Sequence, residues 1–121
     1  MPYETFVKIS SLPDTFCAVL NLDDKTGTHY VAVYNEAKSS YAEYFDSFGM
    51  PPPDLVIEYL QKKTGKEVRF NVFQVQADLS SRCAFYCIYF IKKRASGQSF
   101  EKVMSHFTLK PSKKNEELVI S

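Results

Sequence analysis

The sequence of 121 residues has no tryptophan, only three cysteines and only two histidines. An odd and low number of cysteines argues against a disulfide framework and is typical of a reducing, intracellular compartment. The two histidines restrict any mechanism that needs an imidazole to His29 or His106. The cysteine and histidine spacings also match no zinc site, so we expect no metal and no cofactor.

Long hydrophobic runs are missing as well. The longest covers residues 83–91, about half of the roughly 18 residues that a membrane span needs. The N-terminal sequence Met1-Pro2-Tyr3-Glu4 lacks the basic start and the apolar segment of a secretory signal. The sequence therefore predicts neither membrane contact nor secretion, and it carries no signal for an oligomeric state.

The chain has no marked excess of charge, with 15 basic and 14 acidic side chains. This balance argues against a globally basic nucleic-acid-binding protein. Residues 91–121 nevertheless contain seven basic and three acidic side chains. This segment has two interpretations, a solvated surface that keeps the protein soluble or a weak contact with nucleic acid.

Aromatic residues are abundant, with 10 Phe and 8 Tyr in a chain that is 45% hydrophobic. Such a composition excludes a disordered protein. The length predicts one domain over residues 1–121. We expect its ends, residues 1–11 and 109–121, to be irregular and poorly ordered.

Hydrophobic periodicity predicts four strands and three helices. The strands are expected at residues 16–22, 28–34, 41–48 and 68–76. A polar turn at residues 23–27 joins the first two strands into an antiparallel hairpin. The helices are expected from the prolines at 51–53 to residue 63, at residues 83–93, and from Ser99 onward.

The apolar segment 83–93 decides the fold class. A strand is the alternative, but its length favours a helix that is buried on most sides. Ser80 or Ser81 would cap this helix, and its basic C-terminal residues suit the helix dipole. The prediction is an α+β fold in which a mostly antiparallel sheet packs against the buried helix.

Cys83 opens this predicted helix directly after a polar loop. Backbone N–H groups at a helix N-terminus stabilise a thiolate, so this is a setting for a nucleophilic cysteine. Such a thiolate needs a base, and the base needs an orienting group. His29 at the start of a strand and Asp46 on the neighbouring strand are the candidates, and the Gln76 amide is the candidate donor to an oxyanion.

Each candidate also has a structural interpretation. A cysteine that opens a buried helix is most often core, a strand histidine is most often structural, and an aspartate before Ser-Phe-Gly often makes a turn. Cys17 and Cys87 lie in apolar segments and are predicted to be inert core thiols. His106 is predicted to be an ordinary surface or half-buried residue.

Four segments in a fixed order resemble the adenovirus-type (adenain-like) cysteine endopeptidases of adenoviruses, large self-synthesising DNA transposons and related viruses. These segments are the Gly-Thr-His-Tyr run at residues 27–30, the Phe-Asp-Ser-Phe-Gly run at 45–49, Gln76, and the Cys-Ala-Phe-Tyr-Cys run at 83–87. The order of His, acid, Gln and Cys is shared with SUMO-specific proteases.

The resemblance implies a papain-like core in permuted order and a role for each of four residues. Cys83 would be the nucleophile, His29 the general base and then acid, and Asp46 the group that orients His29. Gln76 would form the oxyanion hole with the Cys83 N–H. The implied substrates are viral or element-encoded precursor polypeptides with small residues such as glycine at the cleaved bond. The implied location is the host nucleus or cytoplasm, or the virion.

Two alternatives stay open at this point. The first is an isopeptidase that acts on a ubiquitin-like protein. The second is a catalytically inactive relative that binds peptides or has a structural role. Ala84, where the family usually has glycine, and the short segment after Cys83 motivate the second alternative.

Overall fold

The computed structural model describes residues 1–22, 29–77 and 80–120. The helices are α1 (Tyr3–Phe6), α2 (Asp54–Thr64), α3 (Cys83–Ala95), α4 (Phe100–Met104) and α5 (Lys113–Ile120). The strands are β1 (Phe16–Asn21), β2 (Tyr30–Asn35), β3 (Tyr41–Phe45) and β4 (Glu67–Phe70). The predicted α+β fold class is confirmed.

The four strands form one sheet in the order β1-β2-β3-β4. β1 and β2 pair antiparallel, from Phe16 opposite Asn35 to Asn21 opposite Tyr30, which confirms the predicted hairpin. β2 and β3 are also antiparallel. β4 runs parallel to β3 because the chain crosses over through α2. The turn predicted at residues 23–27 lies outside the described residues.

Each face of the sheet has its own buried cluster, because side chains alternate along a strand. α3 covers one face, where the rings of Phe45 and Phe90 stack with their centroids 4.9 Å apart. α2 covers the other face, where Val33 and Leu60 are buried together. Burying one such side chain stabilises the fold by about 1.5–3 kcal/mol. The sheet is thus a rigid layer between the two helices.

The two longest helices form close to their predicted places. α2 follows Pro53 and ends at Gly65, whose φ of 68° closes the helix in the left-handed region. The segment that begins at Cys83 is a helix and not a strand. The predicted cap by Ser80 or Ser81 is wrong, because Arg82 occupies the N-cap position without a side-chain cap bond. The Ser80 hydroxyl instead accepts a hydrogen bond from the Arg82 N–H.

β3 and β4 end earlier than the predicted residues 48 and 76. After β3 the chain turns sharply, and the Gly49 N–H donates to the Asp46 carbonyl at 2.8 Å. After β4 the Asn71 side chain bonds both backbone groups of Asp46, at 3.0 Å and 2.6 Å, in place of a strand ladder. Val72, which lies inside the predicted fourth strand, is 77% exposed.

The C-terminal residues differ from the irregular tail that we predicted. α5 packs against the domain and buries Asn115, Glu116 and Val119. The predicted short helix after Ser99 is confirmed as α4, and the Ser99 hydroxyl accepts from the Lys102 N–H at 3.1 Å. The N-terminal segment likewise contains α1, where the sequence predicted irregular chain.

The prediction that Cys17 is a core thiol is wrong. Cys17 lies on β1, an edge strand of the sheet, and it is exposed. Cys87 is buried as predicted. Within the described ranges, no helix is long and apolar enough to cross a membrane.

Candidate active site

Three chain segments converge at one end of the sheet. His29 lies immediately before β2, Asp46 immediately after β3, and Cys83 at the start of α3. Because β2 and β3 are antiparallel, the beginning of one lies beside the end of the other. α3 packs across the same face, and the Tyr30 N–H points at the Cys83 sulfur at 3.4 Å. The topology therefore brings together three residues that are 17 and 37 positions apart in sequence.

A direct polar contact joins His29 to Asp46. The His29 Nε2 atom lies 3.0 Å from the Asp46 Oδ1 atom, with side-chain exposures of 13% and 1%. The same Oδ1 atom accepts the Phe48 backbone N–H at 2.8 Å. Asn71 holds the Asp46 backbone from the other side. Contacts within the turn and with Asn71 thus hold Asp46 in place independently of its contact with the imidazole.

The second imidazole nitrogen, Nδ1, is left for the thiol. His29 and Cys83 are joined by a hydrogen bond between their side chains. Cys83 itself is 6% exposed. The order Asp46, His29 and Cys83 is the order of orienting group, base and nucleophile that an activated thiol requires.

The electrostatics of the cluster favour an ion pair. The hydrogen bond to Asp46, followed by that to Cys83, raises the pKa of His29 from 6.5 to about 9, although burial opposes the change. Burial alone raises the pKa of Cys83. The hydrogen bonds from His29 and from the Tyr30 N–H outweigh it, so the net pKa of Cys83 is lowered. Both shifts favour the thiolate form of Cys83 and the imidazolium form of His29.

Cys87 shows the contrast one helical turn further on. It is fully buried, and burial raises its pKa well above that of an exposed thiol. Cys87 therefore stays a neutral core thiol, as the sequence predicted. The pKa values of two cysteines on the same helix thus shift in opposite directions, because Cys83 meets an imidazole and backbone donors while Cys87 lies in the buried core.

Gln76 lies in the segment that leads from β4 to α3 and is completely buried. Its Nε2 atom donates to the Ser80 carbonyl at 2.9 Å, and its Oε1 atom accepts from the Ser47 hydroxyl. The backbone N–H groups of Val75 and Gln76 both donate to the Ser47 carbonyl, at 2.9 Å and 3.1 Å. The side chain is thus held rigidly, and its role as an oxyanion donor stays a prediction.

Sequence reasoning missed several residues that shape this site. Phe48 covers His29, with ring centroids 5.2 Å apart, and Asn71 and Ser47 hold the turn after β3. Tyr30 supplies a backbone donor, and such a role leaves no trace in the side-chain sequence. The Asp-Ser-Phe-Gly run was the available signal for Ser47 and Phe48, but it also fits an ordinary turn.

His106 lies apart from this cluster, as predicted. It is half-buried after α4, and its Nδ1 atom is 2.7 Å from the Tyr89 hydroxyl. Burial, and then Lys102 and Lys93, lower the pKa of His106. In the part of the chain that the structure describes, no three acidic, histidine or cysteine side chains are grouped to hold a metal.

The fold is that of viral cysteine proteases of known structure. Two crystal structures of the African swine fever virus protease pS273R superimpose on the chain, one of them of the selenomethionine protein. The TM-scores are 0.68 and 0.64, at 24% and 25% identity. Each match covers 88% of this chain and 43% or 42% of the protease.

The sequence relatives are of the same kind. The chain is 28% identical over 104 residues to a SUMO-1 cysteine protease of African swine fever virus, covering 76% of this chain and 38% of that protein. It is 27% identical over 89 residues to a protein named as a thiol protease in Acanthamoeba polyphaga mimivirus, covering 66% and 29%. No family model matches. The chain thus spans less than half the length of the proteins it resembles.

Proposed function

We propose that the chain is a cysteine endopeptidase that cleaves precursor polypeptides of a virus or related mobile element, inside the host cell or the virion. The observation that carries this proposal is the connected set of Asp46, His29 and Cys83, with the pKa of His29 raised and that of Cys83 lowered. Viral relatives named as cysteine proteases support it.

In the proposed acylation step the Cys83 thiolate attacks the carbonyl carbon of the substrate. The new C–S bond forms while the π electrons of the carbonyl move to its oxygen. Gln76 Nε2 and the Cys83 N–H donate hydrogen bonds to that oxyanion. As the oxyanion collapses, the C–N bond breaks and His29 gives its proton to the leaving amine, which leaves a thioester on Cys83.

Deacylation reverses these roles. Neutral His29 removes a proton from water, and the resulting hydroxide attacks the thioester carbonyl. Collapse of the second tetrahedral intermediate breaks the C–S bond and restores the thiolate and the imidazolium. Asp46 stabilises the imidazolium and holds the ring so that Nδ1 faces the sulfur.

Ala84 does not weaken this proposal on conformational grounds. It lies inside α3, where the backbone has the ordinary helical conformation of any L residue. Its N–H donates to the Cys83 sulfur and helps to lower the pKa of that thiol. A glycine in this position would gain nothing from access to positive φ.

The test is cleavage of a pool of quenched fluorescent peptides that contain a central Gly-Gly pair. Wild-type protein should cleave members of this pool, and Cys83→Ala should lose all cleavage because no other group replaces the sulfur. Cys17→Ala is the matched control, since Cys17 is exposed and has no part in the proposed mechanism. Equal cleavage by Cys83→Ala and wild type would contradict the mechanism.

A protease that acts on a SUMO-like protein is the second candidate, and the name SUMO-1 cysteine protease, which African swine fever virus relatives carry, favours it. SUMO-1 with a C-terminal aminomethylcoumarin distinguishes the two candidates. Hydrolysis of this probe far faster than of the Gly-Gly peptides would favour the second candidate. Cleavage of neither, with Cys83 as unreactive as Cys17, would favour an inactive peptide-binding relative.

A further inference from the structure

We propose that Ser47 is a positioning residue for the reaction and that it acts through Gln76. Its hydroxyl binds the oxygen of the Gln76 amide, while the Ser80 carbonyl binds the NH₂ group, so that the amide is held at both ends in the place from which it would donate to the oxyanion. This inference rests on the proposed function. Ser47 follows Asp46 directly, so one short turn would position both the carboxylate that orients His29 and the amide that donates to the oxyanion.

The hydrogen bonds around Gln76 determine the orientation of its amide. The Ser80 partner is a backbone carbonyl, which only accepts, so the amide end that faces it at 2.9 Å is the NH₂ group. The opposite end, Oε1, therefore faces Ser47, and the hydroxyl must donate to it. One hydrogen of the NH₂ group is used by Ser80, and under the proposed function the second is the one that donates to the oxyanion.

Burial makes this orientation matter. Ser47 and Gln76 are both fully buried, so no bulk water replaces a lost partner. Without the hydroxyl, Oε1 is a buried acceptor with no donor, and the amide is held only at its NH₂ end, by the Ser80 carbonyl. An amide that shifts about this single contact would donate to the oxyanion with poorer geometry.

The backbone around Gln76 does not depend on the hydroxyl. The Val75 and Gln76 N–H groups bond the Ser47 carbonyl, which any residue supplies. On the far side the Asn115 amide donates to the Val75 carbonyl at 3.1 Å. Removal of the hydroxyl should therefore leave the segment in place and disturb only the orientation of the amide.

The experiment compares wild type, Ser47→Ala, Gln76→Ala and the double variant. The substrate is acetyl-Gly-Gly-Gly-aminomethylcoumarin. Removing one oxyanion donor costs about 10²–10³ in kcat, so we expect Gln76→Ala to lose that factor. Ser47→Ala should lose about tenfold or more in kcat, with KM within about twofold. In the Gln76→Ala background Ser47→Ala should have no further effect, because its action passes through the amide.

Three additional measurements separate positioning from general damage. Alkylation of Cys83 by iodoacetamide needs no oxyanion donor, so its pH profile should be the same in Ser47→Ala and wild type. Ser96→Ala is the matched control, since the exposed Ser96 hydroxyl also donates to a carbonyl, that of Lys93 at 2.7 Å. Ser47→Cys keeps the volume with a weaker donor, and we expect its kcat between those of wild type and Ser47→Ala.

The outcomes distinguish this inference from the proposed function. If wild type hydrolyses the substrate and Ser47→Ala keeps its kcat within twofold, the inference alone is overturned. A further tenfold loss in the Gln76→Ala background, or a changed alkylation profile, would overturn it as well. If neither wild type nor Ser96→Ala hydrolyses any Gly-Gly peptide, the proposed function falls and this inference falls with it.

Discussion

Replacing Asp46 with asparagine separates the charge of this residue from its orienting hydrogen bonds. The asparagine oxygen can still accept from His29 Nε2 and from the Phe48 N–H, which are 3.0 Å and 2.8 Å from the present Oδ1. The negative charge is lost. Because the bond to Asp46 is the main cause of the raised pKa of His29, that pKa should fall from about 9 toward its ordinary value of 6.5.

The size of the change follows from these two pKa values. The interval from 6.5 to about 9 corresponds to about 3 kcal/mol of imidazolium stabilisation, at about 1.4 kcal/mol for each pH unit. Asp46 supplies the largest share and Cys83 supplies part, so Asp46→Asn should lower the pKa of His29 by about one to two units. At pH 8 the imidazolium fraction, and kcat/KM with it, should then fall about two- to tenfold, and at pH 6 the loss should be smaller.

The sign of the stability effect follows from the same shift. A raised folded-state pKa stabilises the fold fully below pH 6.5, and this contribution is lost as the pH rises through about 9. The difference in unfolding free energy between wild type and Asp46→Asn should therefore be larger at pH 6 than at pH 9.5. The new buried NH₂ group adds a penalty of about 1–3 kcal/mol that does not depend on pH.

Two assays check this prediction. One is the pH profile of kcat/KM, in which the alkaline limb should move down from about pH 9. The other is NMR titration of the histidine rings, where His106, with its pKa lowered by burial, is the internal reference. A His29 resonance and an alkaline limb that both stay near pH 9 in a folded Asp46→Asn variant would refute the reasoning.

Two further predictions concern stability. Gly49→Ala should destabilise the fold by about 2 kcal/mol or more, because Gly49 has φ of 70° and an added Cβ would lie 2.6 Å from the Phe73 carbonyl carbon. Gly97→Ala, with open space around it, is the control for the positive φ alone. Equal melting temperatures of the Gly49→Ala and Gly97→Ala variants would contradict this prediction. Glu43→Gln should lower the free energy of unfolding, measured in urea, by about 3–5 kcal/mol. The reason is that it breaks a buried ion pair in which Arg94 donates twice to Glu43 at 2.7 Å. A decrease below about 0.5 kcal/mol would contradict this prediction.

The elements with strong local signals were predictable from the sequence. β1 and β2 are rich in β-branched and aromatic residues, and α3 is a long apolar run with basic residues at its end. The ends of β3 and β4 were not predictable, because side-chain bonds between Asn71 and Asp46 replace the ladder there. Those two residues are 25 positions apart in sequence, so no local pattern reports their contact.

α5 was missed for a similar reason. Polar residues such as Asn115 and Glu116 predict a solvent-exposed segment. In the structure Asn115 donates to the Val75 carbonyl and Glu116 accepts from the Tyr86 hydroxyl. Partners this distant make polar residues compatible with burial. The prediction for Cys17 was wrong for the opposite reason. An apolar strand predicts burial of all its side chains, but one face of the edge strand β1 is exposed.

The candidate site was predictable in its composition but not in its support. The strand pairing predicts that His29 and Asp46 meet, and the resemblance to the adenovirus-type endopeptidases predicts that Cys83 lies with them. Ser47 and Phe48 act through contacts that exist only after the turn has folded. The sequence therefore identifies the groups that would react more readily than the groups that hold them.

The pH dependence of alkylation at each cysteine, read by mass spectrometry on the folded protein, tests the central claim most directly. Cys17 is exposed and serves as the ordinary thiol, and Cys87 is buried and serves as the inert one. We expect Cys83 to react faster than Cys17 well below pH 8, Cys87 hardly to react, and His29→Ala to remove the advantage of Cys83. A Cys83 that reacts no faster than Cys17 at any pH, and that is unaffected by His29→Ala, would contradict it.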